Sequence, residues 1–320
     1  METEMVQLSN IATITLNPAI DKSVAISNFT AGEVNRVSWE QSDPGGKGVN
    51  VASFLADLGF STSVTGFIGI DNASIFEKLF NQKNMTDHFV RIPGRTRVNV
   101  KIIDEVKKTI TDVNYSGQSP TEQDLIDLKK KIHNLVFDHD WFVLSGSLPS
   151  GIPTEFYAAV IKYLKNAGKH VVLDTSGEAL RDSIHEVPYA IKPNIAELEE
   201  LLGRTLTTEQ DVLNAARTLV NTGIEYVIIS MGKDGAMFVS GAESAVAVPP
   251  PIVVKSTVGA GDAMVAGFIA AKIKGFSLED CARLSTATAM GALTQLGPKL
   301  AETQVLESYM QQISVRKIVD

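Results

Sequence analysis

Short β-branched and apolar stretches alternate with segments of helical period along most of the chain. The stretches at 11–16, 62–67, 141–144, 171–173, 190–191 and 226–229 read as core strands. The segments at 48–58, 73–82, 122–137, 154–166, 195–202, 209–221, 260–274 and 278–295 read as helices. Strands regularly followed by helices of this length predict a doubly wound, mostly parallel sheet flanked by helices. Two regions break the rhythm. Pieces at 23–26 and 35–39, and at 89–92, 97–102 and 109–115, alternate polar with apolar and are joined by short turns without helices. They cannot all enter a parallel sheet through crossover helices. A small antiparallel sheet inserted at about 22–41 and 88–117, serving as a lid or a subunit contact, fits them better.

Nothing in the 320 residues reads as a repeat, a low-complexity tract or a linker, so a single α/β domain over 1–320 is expected. Apolar content of 44% and charged content of 21% are ordinary globular usage. The net charge is −8, and the nearest approach to a basic block, Lys129 to Lys131, shares its helix with Asp124 and Asp127. That balance argues against a nucleic-acid or anionic-membrane partner. One cysteine, Cys281, excludes an internal disulfide, and the histidines show no ligand spacing. The N-terminus lacks a signal pattern and no apolar run is long enough to span a bilayer, so a cytoplasmic protein is expected.

The candidate chemistry centres on Thr257-Val258-Gly259-Ala260-Gly261-Asp262-Ala263-Met264. Two glycines and an alanine bare the backbone just before an apolar helical run, leaving free N–H groups at a helix N-terminus, a ready anion site. Asp262 sits in it. A carboxylate beside a phosphate site makes sense as a base that takes a proton from a hydroxyl while the amides hold the phosphoryl group under attack. Complementation of the helix dipole by an acidic first turn is the alternative.

Other segments carry paired readings. Asp21, after Asn17-Pro18-Ala19-Ile20, lies where ligands bind in open α/β sheets and can accept hydroxyl hydrogen bonds, or can simply form a turn. Pro44-Gly45-Gly46-Lys47-Gly48-Val49-Asn50 opens a helix with a lysine charge and an amide. It lacks the P-loop spacing, and Val51 replaces the third glycine of a dinucleotide fingerprint, so it is either a ligand loop or a tight turn. Arg97, Asn99 and Lys101 alternate on one strand face, suited to a phosphate monoester or to solvent. Asn194 and Glu197 have capping-box spacing, or help hold a hydrated magnesium while Lys192 approaches nucleotide phosphates. Ser230, Gly232 and Gly235 either accommodate a nucleotide or make a hairpin turn.

Taken in order, these motifs resemble the ribokinase/PfkB-type sugar kinase family over about 11–297. The segments Gly94 to Lys101, Thr111 to Gly117 and Ser145 to Gly151 narrow the resemblance to the family's sugar-phosphate kinases. The resemblance implies a ribokinase-like fold with a small β-sheet lid, and transfer of the ATP γ-phosphoryl group to the 6-hydroxyl of fructose 1-phosphate. Tagatose 6-phosphate is the alternative acceptor, and a non-catalytic sugar-phosphate sensor the alternative role. It implies Asp262 as general base and Gly259, Ala260 and Gly261 as the anion hole. Asp21, Gly46 and Asn50 would meet the sugar, with Asn99 alongside, and Lys47, Arg97 and Lys101 would grip its phosphate. Lys192, Asn194, Ser230, Gly232, Gly235 and Gly261 would line the ATP site. Glu197 and Asn194 would place Mg2+ through water, a monovalent cation is a further cofactor, and the lid sheet would pair two subunits. The imperfect glycine spacing at Gly46 speaks against an NAD-dependent dehydrogenase.

Overall fold

The computed structural model of the protein describes residues 10–318 except Ala242 and Thr257. Thr257, the first residue of the glycine-rich stretch, therefore lies outside the described residues, as do residues 1–9. The main sheet runs, in pairing order, Thr86–Asp87, Thr62–Gly69, Ile11–Thr15, Trp141–Ser145, His170–Asp174, Ala190–Ile191, Tyr226–Ser230, Ala236–Ser240, Glu243–Val248 and Ser314–Lys317. Pairing is parallel as far as Tyr226–Ser230 and antiparallel beyond it. Side chains alternate across this sheet and feed two cores. Ala12 and Ile14 point to one, with Tyr157 and Leu213 of the helices Phe156–Asn166 and Glu209–Val220. Ile11 points to the other, with Phe54, Phe268 and Met290 of the helices Lys47–Asp57, Ala260–Ile273 and Leu278–Leu293.

Ala260–Ile273 is buried over nearly its whole circumference, as a helix apolar on all sides must be. It packs on Leu278–Leu293 at a small-residue contact. A Cβ on Gly267 would overlap Thr288 Oγ1 and come within 2.7 Å of Ser285 Cα. No described helix is long and apolar enough to cross a membrane.

A second sheet of four strands pairs Trp39–Gly45, Ala19–Ala25, Val98–Asp104 and Thr109–Val113 in that order. Its central pair is parallel and its outer pairs are antiparallel. Two expected lid pieces fall elsewhere. Residues 35–37 are not strand; the lid strand is Trp39–Gly45, running straight into the glycine loop. Its polar sequence and Pro44 hid it, and both are tolerated because it is an edge strand. The piece at 89–92 contributes Val90–Ile92, which pairs in parallel with Thr62–Gly69 and packs its two apolar ends into a core. The loop after Ala19–Ala25 is pinned by Asp104, whose carboxylate accepts from the backbone N–H groups of Asn28, Phe29, Val106 and Lys107.

Gly267→Ala should destabilise the protein by about 1–3 kcal/mol despite alanine's better helix propensity, because Ser285 backbone cannot yield. Urea unfolding with an unchanged or raised midpoint would show that the helix pair has slack.

Candidate active site

Four ionisable side chains from four different elements meet at the carboxyl edge of the main sheet. Lys47 opens the helix Lys47–Asp57, Asp174 ends the strand His170–Asp174, Lys192 follows Ala190–Ile191, and Asp262 lies in the first turn of Ala260–Ile273. Asp174 is buried and holds both lysines, Lys47 Nζ at 3.0 Å and Lys192 Nζ at 3.4 Å. Burial pushes its carboxyl up, but Lys192 and Lys47 outweigh that and keep it below the usual carboxylate range. Burial likewise disfavours the Lys47 ammonium, and Asp174, Asp262 and Glu197 more than restore it, raising its pKa.

Asp262 is almost fully buried, and its Oδ2 accepts from Asn50 Nδ2 at 2.8 Å. Its carboxyl is pushed up to about 6, first by burial and then by the Asp174 charge, while Lys47, the Asn50 amide and Lys192 oppose the rise. A carboxyl with this pKa is ionised at neutral pH and is a stronger base than an exposed aspartate. Gly259, at φ 81, turns the chain into the helix in a left-handed conformation that glycine alone adopts readily. Lys192 Nζ lies over Gly261, 3.2 Å from where a Cβ would stand. An ammonium and the N–H groups at the positive end of a helix thus face the same corner, an arrangement that can hold an anion.

The glycine loop answers mainly to protein neighbours. Gly46 has φ 114, and a Cβ there would come within 2.9 Å of Pro18 Cα. A Cβ on Gly45 would overlap Asp21 Oδ2. Beside this loop a cleft of about 760 Å³, counting space open to solvent, lies between the small sheet and the residues Lys255, Ser256, Val258, Gly259 and Leu296 to Pro298. Asp21, Lys101, Asn50 and Gly259 line it, as does Asp43. Burial pushes the Asp21 carboxyl up, partly offset by Asn99, whose Nδ2 donates to it at 3.3 Å.

The expected site residues separate into groups. Lys47, Asn50, Lys192 and the 259–262 turn converge on Asp262, and Asp21, Asn99 and Lys101 gather on the cleft face of the small sheet. Arg97 stands apart from the cleft lining. Its guanidinium donates to the backbone carbonyls of Asn17, Pro18 and Tyr115 at 2.8, 3.2 and 2.9 Å, tying together chain crossings between the two sheets. Lys101 pairs with Asp112 at 3.1 Å. Asn194 and Glu197 form a reciprocal capping box at 2.8 and 2.9 Å, and Asn194 bridges to Ser230. Gly232 and Gly235 flank the turn between two antiparallel strands, with Gly235 tight against the Ala247 carbonyl. Among the described residues no three His, Cys, Asp or Glu side chains are close enough to hold a metal directly. Asp174 Oδ2, however, is buried and has no hydrogen-bond partner among the described residues. Sequence reasoning missed Asp174 and Asp43. The one available signal for Asp174 was its place at the end of a core strand, and for Asp43 its place just ahead of the glycine loop.

The pfkB family carbohydrate kinase model matches residues 11–304. A 1-phosphofructokinase of Rhodobacter capsulatus is 44% identical over 309 residues, covering 96% of this chain and 98% of its own length. Phosphofructokinase-2 from Escherichia coli in complex with fructose-6-phosphate superposes with a TM-score of 0.86 at 28% identity, over 95% of this chain and 98% of that one. The same enzyme in complex with potassium gives 0.88 at 29%, with the same coverage.

Asp174→Ala should lower stability by about 3–5 kcal/mol in urea unfolding, because two lysines lose their shared counter-charge. A loss below about 1 kcal/mol would mean that water already balances the lysines.

Proposed function

The chain belongs to the pfkB family of carbohydrate kinases and is a sugar-phosphate kinase, a phosphotransferase with an alcohol acceptor; we propose that it phosphorylates the 6-hydroxyl of D-fructose 1-phosphate, converting ATP to ADP and the sugar to fructose 1,6-bisphosphate. The observation that carries this is Asp262, a buried base of raised pKa set in the same helix turn as an anion site. Eight curated relatives at 36–44% identity, all 1-phosphofructokinases, support the acceptor, and the tagatose 6-phosphate and non-catalytic alternatives are not favoured.

The sugar enters the cleft under the small sheet, its ring hydroxyls donating to Asp21 and its phosphate balanced by Lys101. Asn50 orients Asp262, which takes the proton of the 6-hydroxyl as that oxygen attacks the γ-phosphorus. The N–H groups of the 259–262 turn and the Lys192 ammonium hold the equatorial oxygens, where negative charge accumulates. Lys47, already shared with Asp174, adds charge on the acceptor side. Ser230, Gly232 and Gly235, beside Asn194, supply the floor for the nucleotide.

The Glu197 carboxylate and the Asn194 amide oxygen, paired at a helix start, suit a hydrated Mg2+, a hard cation that takes oxygen ligands and keeps several waters. Glu197 and Asn194 would hold it through water, and when bound it would neutralise phosphate charge. The potassium complex of the structural relative supports a monovalent cation as a further cofactor. Exposed apolar side chains on the small sheet and its loop, Val34, Val37, Ile110 and Val113 among them, support a homodimer through that sheet. An ATP-dependent reaction on a sugar phosphate fits the cytoplasm.

Asp262→Asn should lower kcat at least a thousandfold in an ADP-release assay while ATP and fructose 1-phosphate still bind. Near wild-type turnover would remove Asp262 as the base, and wild-type preference for tagatose 6-phosphate or unphosphorylated fructose would overturn the acceptor. The kcat/KM of the wild type should fall on the acid side with an apparent pKa near 6, as Asp262 takes up a proton. Asn50→Ala should move that limb to higher pH, since the lost amide favoured the ionised form. An unmoved limb would assign the titration to another group.

A further inference from the structure

The cleft face of the small sheet is ordered in rows. Asp43, Asp21 and Asn99 are register partners on three neighbouring strands. One pleat further along, Gln41, Ser23 and Lys101 are partners in the same way, and beyond them Trp39, Ala25 and Ile103. Because side chains two apart share a face, the sheet presents an acidic row beside the glycine loop, then a polar row with a cation, then an apolar row. Asp43 is the member of the acidic row to which the reaction described above gives no part.

Its position is costly for the fold. Like charges directly opposite on paired strands destabilise a sheet, and both carboxylates are half-buried. Burial pushes the Asp43 and Asp21 carboxyls above their ordinary range, and the Asp43 charge raises Asp21 further. The direct hydrogen-bond partner of Asp43 is an amide: Gln41 Nε2 donates to its two oxygens at 3.1 and 2.8 Å. A charged Lys299 helps at longer range. The wall that Asp43 faces is the backbone of Gly297, at φ 75, where a Cβ would come within 2.9 Å of Asp43 Oδ1. Packing there is served by any side chain of this size, and an amide would relieve the repulsion. A ligand with several hydroxyl donors is what makes two acceptor-only groups side by side useful, since each carboxylate keeps lone pairs to spare after one amide bond.

We propose that Asp43 is a second sugar-hydroxyl acceptor beside Asp21, and that the pair selects acceptors carrying two neighbouring, non-reacting ring hydroxyls. The inference rests on the sugar-phosphate kinase reading and deepens it by adding a specificity-determining residue. Asp21 and Asp43 take the hydroxyls, and Lys101, one row out, lies on the side where the phosphate would extend.

The test compares the wild type with Asp43→Asn and Asp43→Ala on the best acceptor of a sugar-phosphate panel, and on its 3-deoxy and 4-deoxy analogues. Loss of a charged hydrogen bond should raise the acceptor KM of both variants about 10- to 100-fold, with the KM for ATP unchanged. One deoxy analogue should bind the wild type worse than the parent sugar and bind Asp43→Asn no worse than the parent. The thermal midpoint of Asp43→Asn should be unchanged or higher, because a repulsion is removed. An unchanged acceptor KM, equal deoxy penalties in wild type and variant, or a rise in KM accompanied by a fall in the midpoint would each overturn the role of Asp43. Failure of the wild type to use fructose 1-phosphate overturns the substrate assignment instead, and the Asp43 comparison is then read on whichever panel sugar releases ADP.

Discussion

Asp174 has no water to turn to and two ammonium groups within reach, and the catalytic end of the molecule is arranged around that fact. A buried carboxylate alone would take up a proton. Asp174 instead stays ionised between the two ammonium groups. Lys192 Nζ lies against the positive end of the Ala260–Ile273 helix, with Asp262 in the same turn. Asp262 feels both sides of the arrangement. The Asp174 charge raises its pKa and the lysines lower it, so its strength as a base is set by a balance of neighbours as well as by burial.

The division between the two sheets follows from the same need. A rigid, doubly buried sheet fixes the four charged groups, each at the end of a different element, so that no one of them moves without repacking a core. The small sheet carries the groups proposed to meet the sugar and has one open face. Arg97 joins the two bodies by gripping three carbonyls where the chain crosses between them. Its five donors in a planar fork suit that task as well as they suit a phosphate.

Much of this was legible in the sequence where a residue type has few uses. The glycine turn before an apolar helix marked Asp262, and the capping spacing of Asn194 and Glu197 is what the structure contains. The alternation of Asn99 and Lys101 placed both on one face correctly. Asp174 could not be read, because an aspartate closing an apolar strand looks like any strand-to-loop turn. Its importance comes from lysines at separations of 127 and 18 residues, which no local pattern reports. Asp43 was hidden for a different reason. The strand that carries it is an edge strand of weak β character, so its alternation, and with it the facing of Gln41 and Asp43, went unrecognised.

The parallel pairing at the centre of the small sheet joins Asp21 to Asn99 across 78 residues. Two distant chain segments must meet before that sheet exists, and pairings of such long range form slowly. The pairing of Ile11–Thr15 with Thr62–Gly69, each upstream of one of those segments, brings the two together. A chain without that pairing would have neither the ordered rows of the small sheet nor the guanidinium tether. Its two facing aspartates would still be apart and hydrated, free of the repulsion that the finished sheet imposes. The electrostatic cost of setting the two carboxylates side by side is thus imposed by strand pairing itself and borne by the native packing around it.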